Sequence, residues 1–251
     1  MGFNKNLIYK IIDNKINTLE LVYLTEQELN ILYHALNLNT SLKKLYLLFN
    51  HIEDITLLCK SLENNSCLEE LDLGDNKIKN ITPLKFLSNI SCLKYLNLSG
   101  NQIKDITPLK FLENNNCLKE LHLGGNQIED ITLLCKSLIN NSCLEYLDLN
   151  YNKIENIIPL NFLENNYCLK KLDLYNNQIK DITLLCKSLK NNSSLQKLDL
   201  SKNKIENITP LKFLENNSCL KRLYLSNNQL NNQDKQKLIE LTKFKQIVLW
   251  I

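Results

Sequence analysis

The chain of 251 residues is 44% hydrophobic and carries Lys+Arg 30 against Asp+Glu 27, for a net charge of +3. Charges this evenly matched give no bulk attraction to nucleic acid or to an anionic membrane. No run is apolar for long enough to span a bilayer. Residues 1–10 lack the continuous apolar segment of a secretory leader, and Asn6 stands where a myristoylation motif after Gly2 would want Ser or Thr.

Taken in order, residues 1–15 carry Leu7, Ile8, Ile11 and Ile12, the spacing of a short amphipathic helix. Residues 16–41 read as a degenerate opening repeat, with Ile16, Leu19 and Leu21 lying 26 positions before Leu42, Leu45 and Leu47. Within it Thr25-Glu-Gln-Glu28 is a capping box that opens a helix with Leu29, Leu32, Tyr33 and Leu36 on one side. These 41 residues are expected to cap the stack that follows, because a first solenoid repeat exposes one apolar face.

Eight copies of the phrase L-x-x-L-x-L-x-x-N-x-I occupy residues 42–228, with the Asn at 50, 76, 101, 126, 152, 177, 203 and 228. Alternation within L-x-L predicts a strand with Leu inward and its neighbours outward. The Asn falls where the chain leaves the strand, where buried backbone groups need hydrogen-bonding partners. The second half of each repeat has two versions. One reads Ile-Thr-Pro-Leu-Lys-Phe-Leu, as in Ile81 to Leu87, and holds Pro83, Pro108, Pro159 and Pro210. Its Thr is expected to N-cap a helix with Pro at N1, a cap weakened where Ile158 precedes Pro159. The other reads Ile-Thr-Leu-Leu-Cys-Lys-Ser-Leu, as in Ile131 to Leu138, and is one residue longer. Residues 229–251 are expected to form a polar helix over 232–243 and a closing edge strand with Phe244, Ile247 and Leu249 in the Leu slots.

Parallel strands joined by crossover helices wind right-handed. Strands pack about 4.8 Å apart and helices about 8–10 Å apart, so the stack curves with its strands inside. The expectation is one α/β domain over residues 1–251: a right-handed horseshoe with a concave parallel sheet and short convex helices.

The phrase Leu118-Lys-Glu-Leu121-His-Leu123-Gly-Gly-Asn126-Gln-Ile128 resembles the leucine-rich repeat family. The helical half and Lys-Ser-Leu-Glu-Asn-Asn-Ser-Cys-Leu are similar to its ribonuclease-inhibitor-like class. The wording Asp105-Ile-Thr-Pro-Leu109 is similar to bacterial internalins, whose repeats are shorter. This resemblance implies the horseshoe and a role in binding other proteins.

The nine cysteines are periodic. Cys67, Cys92, Cys117, Cys143, Cys168 and Cys219 each precede the first Leu of a phrase, with Ser194 in the remaining copy. Cys59, Cys135 and Cys186 fill a second slot. A position shared by Cys and Ser wants a small side chain. Reduced structural thiols in the cytoplasm are therefore expected, where disulfides are rare. Spacings near 25 residues do not match a zinc site.

The variable strand positions are the candidate site, facing the hollow of the horseshoe. A central column runs Tyr46, Asp72, Asn97, His122, Asp148, Asp173, Asp199 and Tyr224. Beside it stand Tyr95, Glu120, Tyr146, Lys171, Lys197 and Arg222, with Tyr175 on the other side. Tyr is enriched at binding hot spots. Three adjacent aspartates repel one another, which a cationic partner would relieve. His122 with Glu120 and Asp148 is the one cluster with metal or acid–base character, and a solvated surface histidine is the plainer expectation. There is no nucleophile motif and no phosphate-binding glycine loop; the only Gly pair is Gly124-Gly125. The expectation is a non-enzymatic, monomeric, protein-binding module with no cofactor, no nucleic-acid partner and no membrane partner. A recognition arm of a larger assembly such as a ubiquitin ligase, or a protein inhibitor of an enzyme, is the alternative.

Overall fold

Each strand is only three residues long because its phrase supplies one inward Leu flanked by two outward side chains. In the computed structural model, which describes residues 3–88, 90–234 and 236 and the backbone of strand 248–250, the strands are β1 (Thr18–Glu20), β2 (Lys44–Tyr46), β3 (Glu70–Asp72), β4 (Tyr95–Asn97), β5 (Glu120–His122), β6 (Tyr146–Asp148), β7 (Lys171–Asp173), β8 (Lys197–Asp199), β9 (Arg222–Tyr224) and β10 (Val248–Trp250). Among the described residues they form one sheet in sequence order, every neighbouring pair parallel. The register places Leu beside Leu throughout, as in Leu96 beside Leu121 beside Leu147. These leucines and the Ile after each phrase Asn form one continuous buried core from Leu7 to Leu230. The chain is thus the expected α/β horseshoe.

The opening segments fold as the apolar spacing demands. Helix α1 (Lys5–Ile12) buries Leu7 and Ile11, and helix α2 (Glu26–Asn37) starts with the Thr25–Glu28 capping box. The crossover segments are of two kinds. The Leu-Leu-Cys-Lys-Ser copies form α3 (Thr56–Ser61), α4 (Thr132–Leu138) and α5 (Thr183–Leu189). The proline copies, Thr82–Leu87, Thr107–Glu113, Ile158–Asn165 and Thr209–Leu214, are 3₁₀ turns. The expected Thr cap is not what starts them. The cap position is the preceding Ile, with no side-chain cap bond, and Thr is already the first residue of the turn. The Asp or Asn two residues earlier accepts the Thr N–H instead, as Asn80 does from Thr82 and Asp105 from Thr107, both at 2.9 Å, and the copies without proline do the same, Asp54 accepting from Thr56 at 2.8 Å. The donor is a backbone amide, so Ile158 keeps the same bond to Asn156 at 3.0 Å. What Ile158 lacks is the hydroxyl bond that Thr56 makes to Asp54 at 2.6 Å. The helix expected over 232–243 lies largely outside the described residues, as do Phe244 and Ile247.

Two files of buried asparagine hold successive repeats together. At the bend after each strand, Asn126 Nδ2 donates to Leu98 O, Leu123 O and Gly124 O, and its Oδ1 accepts the Ile103 N–H at 2.9 Å. Leu98 and Ile103 belong to the preceding repeat, so one carboxamide closes its own bend and fastens it to the one before. At the opposite turn, Asn141 donates to Leu112 O and Asn115 O and accepts from Cys143 N and Leu144 N. This second file runs Asn39, Asn65, Asn115, Asn141, Asn166, Asn192 and Asn217, all buried, with the apolar Ile90 in the one remaining slot. The residue before each bend asparagine is left-handed: Phe49, Asp75, Gly100, Gly125, Tyr151, Asn176, Lys202 and Asn227. Only two of these are glycine, so the others hold a strained backbone of about 1–2 kcal/mol each.

Asn126→Leu removes four hydrogen bonds at a site closed to water, and is expected to destabilise the fold by about 3 kcal/mol or more, read as a fall in the urea midpoint. Gly125 has φ +64°, and an added Cβ would stand 3.2 Å from Gly100 N. Gly125→Ala is expected to cost about 1–2 kcal/mol in the same titration.

Candidate functional site

Period two puts the residues on either side of each inward Leu onto the concave face, and the parallel register sets like positions side by side on adjacent strands. Asn97 is beside His122, His122 beside Asp148, Asp148 beside Asp173, and Asp173 beside Asp199. In the neighbouring column Tyr146 is beside Lys171, Lys171 beside Lys197, and Lys197 beside Arg222. The structure thus assembles Tyr95, Asn97, Glu120, His122, Tyr146, Asp148, Lys171, Asp173, Lys197, Asp199, Arg222 and Tyr224 into one strip across β4–β9. Asp72 on β3 continues the central column beside Asn97, and Tyr46 on β2 lies beside Asp72 at its end. There Tyr46 donates its hydroxyl hydrogen to Glu70, which also pairs with Lys44 at 2.8 Å.

The central column has a structural task that the alternation did not reveal. Its acid or amide accepts the backbone N–H two residues on: Asp72 from Gly74, Asn97 from Ser99, Asp148 from Asn150, Asp173 from Tyr175 and Asp199 from Ser201, each at 2.9 Å. That amide lies where the strand ends and the bend begins. Two of these carboxylates are not the solvent-facing groups expected. Asp72 and Asp148 are each only 7% exposed. Asp72 is covered because it also accepts from Asn97 Nδ2 at 2.9 Å, and Asp148 because the His122 ring reaches within 3.7 Å.

Electrostatics follow from this crowding. Burial pushes Asp173 up to about 6 despite the Tyr175 amide, and the flanking Asp148 and Asp199 add to the rise. His122 is pulled down by burial, but Asp148 and Glu120 outweigh that and hold it above its usual value. Its ring lies between Tyr95 and Tyr146, with both centroid distances 5.0 Å. Burial pushes Tyr95 up to about 12 and raises Tyr146 as well. An imidazole sandwiched by two protonated phenols is an apolar contact surface with a charged rim. Among the described residues no group of three His, Cys, Asp or Glu side chains could hold a metal ion.

Beyond the aromatic trio the face turns cationic. Lys171 Nζ lies 5.7 Å from the Tyr146 ring and Lys197 Nζ 5.2 Å from the Tyr224 ring. With Arg222 and Asp173 these lysines and Tyr146 line an open cleft of about 180 Å³. Tyr175 extends the strip at the bend, where it meets Tyr151 at 5.2 Å and Lys202 at 5.1 Å from its ring. Tyr151 and Lys202 were missed by reading the strands alone. Both occupy the left-handed slot before the bend asparagine, which throws the side chain onto the rim.

The family model described as leucine rich repeats in two copies matches residues 68–111, 93–140 and 169–213, and a single-repeat model matches 140–157. Together they cover more than half of the chain. An internalin (inlF) from Listeria monocytogenes superposes with a TM-score of 0.64 at 31% identity, over 86% of this chain and 62% of that one. The chain therefore spans less than two thirds of that relative. Internalin C2 from the same organism gives 0.61 at 27% identity, over 89% of this chain and 83% of its own. A leucine-rich repeat protein from Leptospira interrogans gives 0.60 at 21% identity, over 95% and 73%, and shares the fold. No curated protein sequence matches significantly. Among the described residues no helix is long and apolar enough to cross a membrane. The repeat phrase, the asparagine files, the parallel horseshoe and the matching models agree, and the chain belongs to the leucine-rich repeat family.

Proposed function

We propose that the concave strip over β4–β9 binds a protein partner and that the chain works by recognition rather than catalysis. One observation carries this reading: the fold uses the oxygen of the central-column side chain and has no use for its charge. Asn97 makes the same 2.9 Å bond to its own bend as Asp148, Asp173 and Asp199 make to theirs. Three carboxylates on adjacent strands repel one another, and burial raises the cost. A cationic segment docked over them would relieve both penalties. The Tyr95–His122–Tyr146 cluster supplies the aromatic area that dominates interface energetics. The relatives' repeats support a binding role in general, and the nine unpaired cysteines support a reducing, cytoplasmic setting.

The neutralised variant D148N/D173N/D199N separates binding from folding. Proteins retained by the immobilised wild-type chain should be lost from this variant. They should persist on a control outside the strip, Glu155→Gln, which removes an exposed pair with Lys180. Retention unchanged by the triple substitution would exclude the acidic row from the interface. Tyr95→Ala and Tyr146→Ala are each expected to weaken capture by tenfold or more.

The same row gives a pH signature. The folded-state Asp173 carboxyl is raised to about 6, against roughly 4 in an unfolded chain. A raised acid contributes stability that is fully present below the unfolded value and lost as the pH climbs through the folded one. Asp173→Asn should therefore stabilise the fold at pH 7 by about 1–2 kcal/mol, after allowance for partial exposure, and the difference should vanish below about pH 4 in denaturant titrations.

A further inference from the structure

The edge of the sheet ahead of the strands carries chemistry that partner binding does not use. Cys67, Cys92, Cys117, Cys143 and Cys168 each stand three residues before successive strands β3 to β7, and all are free and half-buried. Two residues beyond each cysteine the parallel ladder is already hydrogen-bonded. Lys94 N donates to Glu69 O, Lys119 N to Lys94 O, Glu145 N to Lys119 O and Lys170 N to Glu145 O, each at 2.8 Å. Neighbouring cysteine Cα atoms therefore lie about one strand spacing apart, roughly 4.8 Å, within the span of about 4.4–6.8 Å that a disulfide bridges.

The thiols themselves reach from repeat to repeat. Cys92 Sγ donates to Ser66 O at 3.0 Å and Cys143 Sγ to Asn116 O at 2.6 Å, the residues immediately before Cys67 and Cys117. Cys168 Sγ reaches Asn141 O at 3.2 Å, two residues before Cys143. The second cysteine file differs in kind: Cys59, Cys135 and Cys186 are sealed in the core, about 0–2% exposed.

We propose that the thiol column is a site of reversible oxidative modification, in which a low-molecular-weight disulfide such as oxidised glutathione cross-links neighbouring repeats. The thiolate of one column cysteine attacks a glutathione sulfur. The glutathione disulfide bond breaks, a mixed disulfide forms on the protein, and one glutathione leaves as a thiolate that takes up a proton. The neighbouring column thiolate then attacks the protein sulfur of that mixed disulfide, and the second glutathione leaves in the same way. Two protein thiols are oxidised, and one glutathione disulfide is reduced to two thiols. Parallel side chains at strand spacing set Cβ atoms slightly beyond the distance of about 3.5–4.5 Å that a disulfide prefers. The bridges are consequently strained and readily reduced, which makes the modification reversible. Cys219 is a built-in control, because Ser194 occupies the adjoining slot. This proposal stands apart from the binding reading and survives its failure.

The test incubates the folded full chain with oxidised glutathione, blocks remaining thiols after unfolding and maps peptides by mass spectrometry without reduction, with circular dichroism confirming the fold throughout. Cross-links are expected between adjacent members of the run Cys67 to Cys168, and dithiothreitol should remove them. Cys219 should carry glutathione alone, and Cys59, Cys135 and Cys186 should be recovered unmodified. In S194C, position 219 should shift from the glutathione adduct to a cross-link with position 194. Glutathione adducts without cross-links at every column position, no reaction at all, or bridges through the three core cysteines would each overturn the proposal.

Discussion

The carboxamide at the bend after each of strands β2 to β9 is the constraint on which this architecture rests. Each repeat turns twice, and each turn leaves peptide groups that neither strand nor helix can satisfy. Asn126 and its equivalents supply a two-hydrogen donor and an acceptor on one short arm, and they do so across the gap between repeats. A leucine core alone would give adhesion without register. The carboxamide makes it specific, because a one-residue slip would leave its donors and acceptor without partners in a place water cannot enter. Crossovers of six to eight residues fall well below the length at which an isolated helix is stable, and they persist because the core holds them and, except at Ile90, a carboxamide ties down the turn that follows.

With cohesion handled inside, the concave face is relieved of structural duty except at one point. Where the central column carries Asp or Asn, the side chain presents an acceptor to the amide two residues on, and both residues serve equally. The choice between them sets charge with little effect on geometry. Through β6, β7 and β8 the chain carries Asp, and burial, with the flanking carboxylates adding to it, lifts the Asp173 carboxyl. One column away the sequence changes from Tyr146 to Lys171, Lys197 and Arg222. A negative row, a positive row and an aromatic block thus lie within one strip, a pattern that discriminates among partners by charge register as well as by shape.

Much of this was legible because the inward and outward positions are fixed by period alone. Leu121 and Leu123 could only be core once Glu120 and His122 were read as outward, and Thr25 with Glu28 announces its own capping box. Other features depended on information that the alternation does not carry. Six apolar-patterned residues fit a 3₁₀ turn as well as an α-helix, so the proline copies were read too regularly. The Thr-Pro start masks Asn80 and Asp105, whose side chains reach forward to accept from the Thr amide. Burial of Asp72 and Asp148 depends on what the adjacent strand carries, here Asn97 and His122, and is a property of neighbours rather than of the residue. The left-handed slot is filled by Phe49, Asp75, Gly100 and Lys202 among others. No shared residue type marks it, so Tyr151 and Lys202 on the rim escaped notice.

The turn file of asparagines has one gap, and it lies between the third and fourth turns of the coil. At Ile90 an aliphatic side chain, 1% exposed, fills the space where a carboxamide would have reached back one repeat. Packing is continuous there, and the polar link to the preceding turn is left to the Cys92 thiol, which donates to Ser66 O at 3.0 Å. Cooperativity in a stacked array depends on the coupling between each pair of layers, and this boundary keeps its strand ladder, its bend carboxamide Asn101 and the Lys94–Glu69 ion pair while lacking one turn carboxamide. Coupling across this boundary is thereby weaker by one carboxamide than at its neighbours, and the strip over β4–β9 lies on the side where the file runs unbroken.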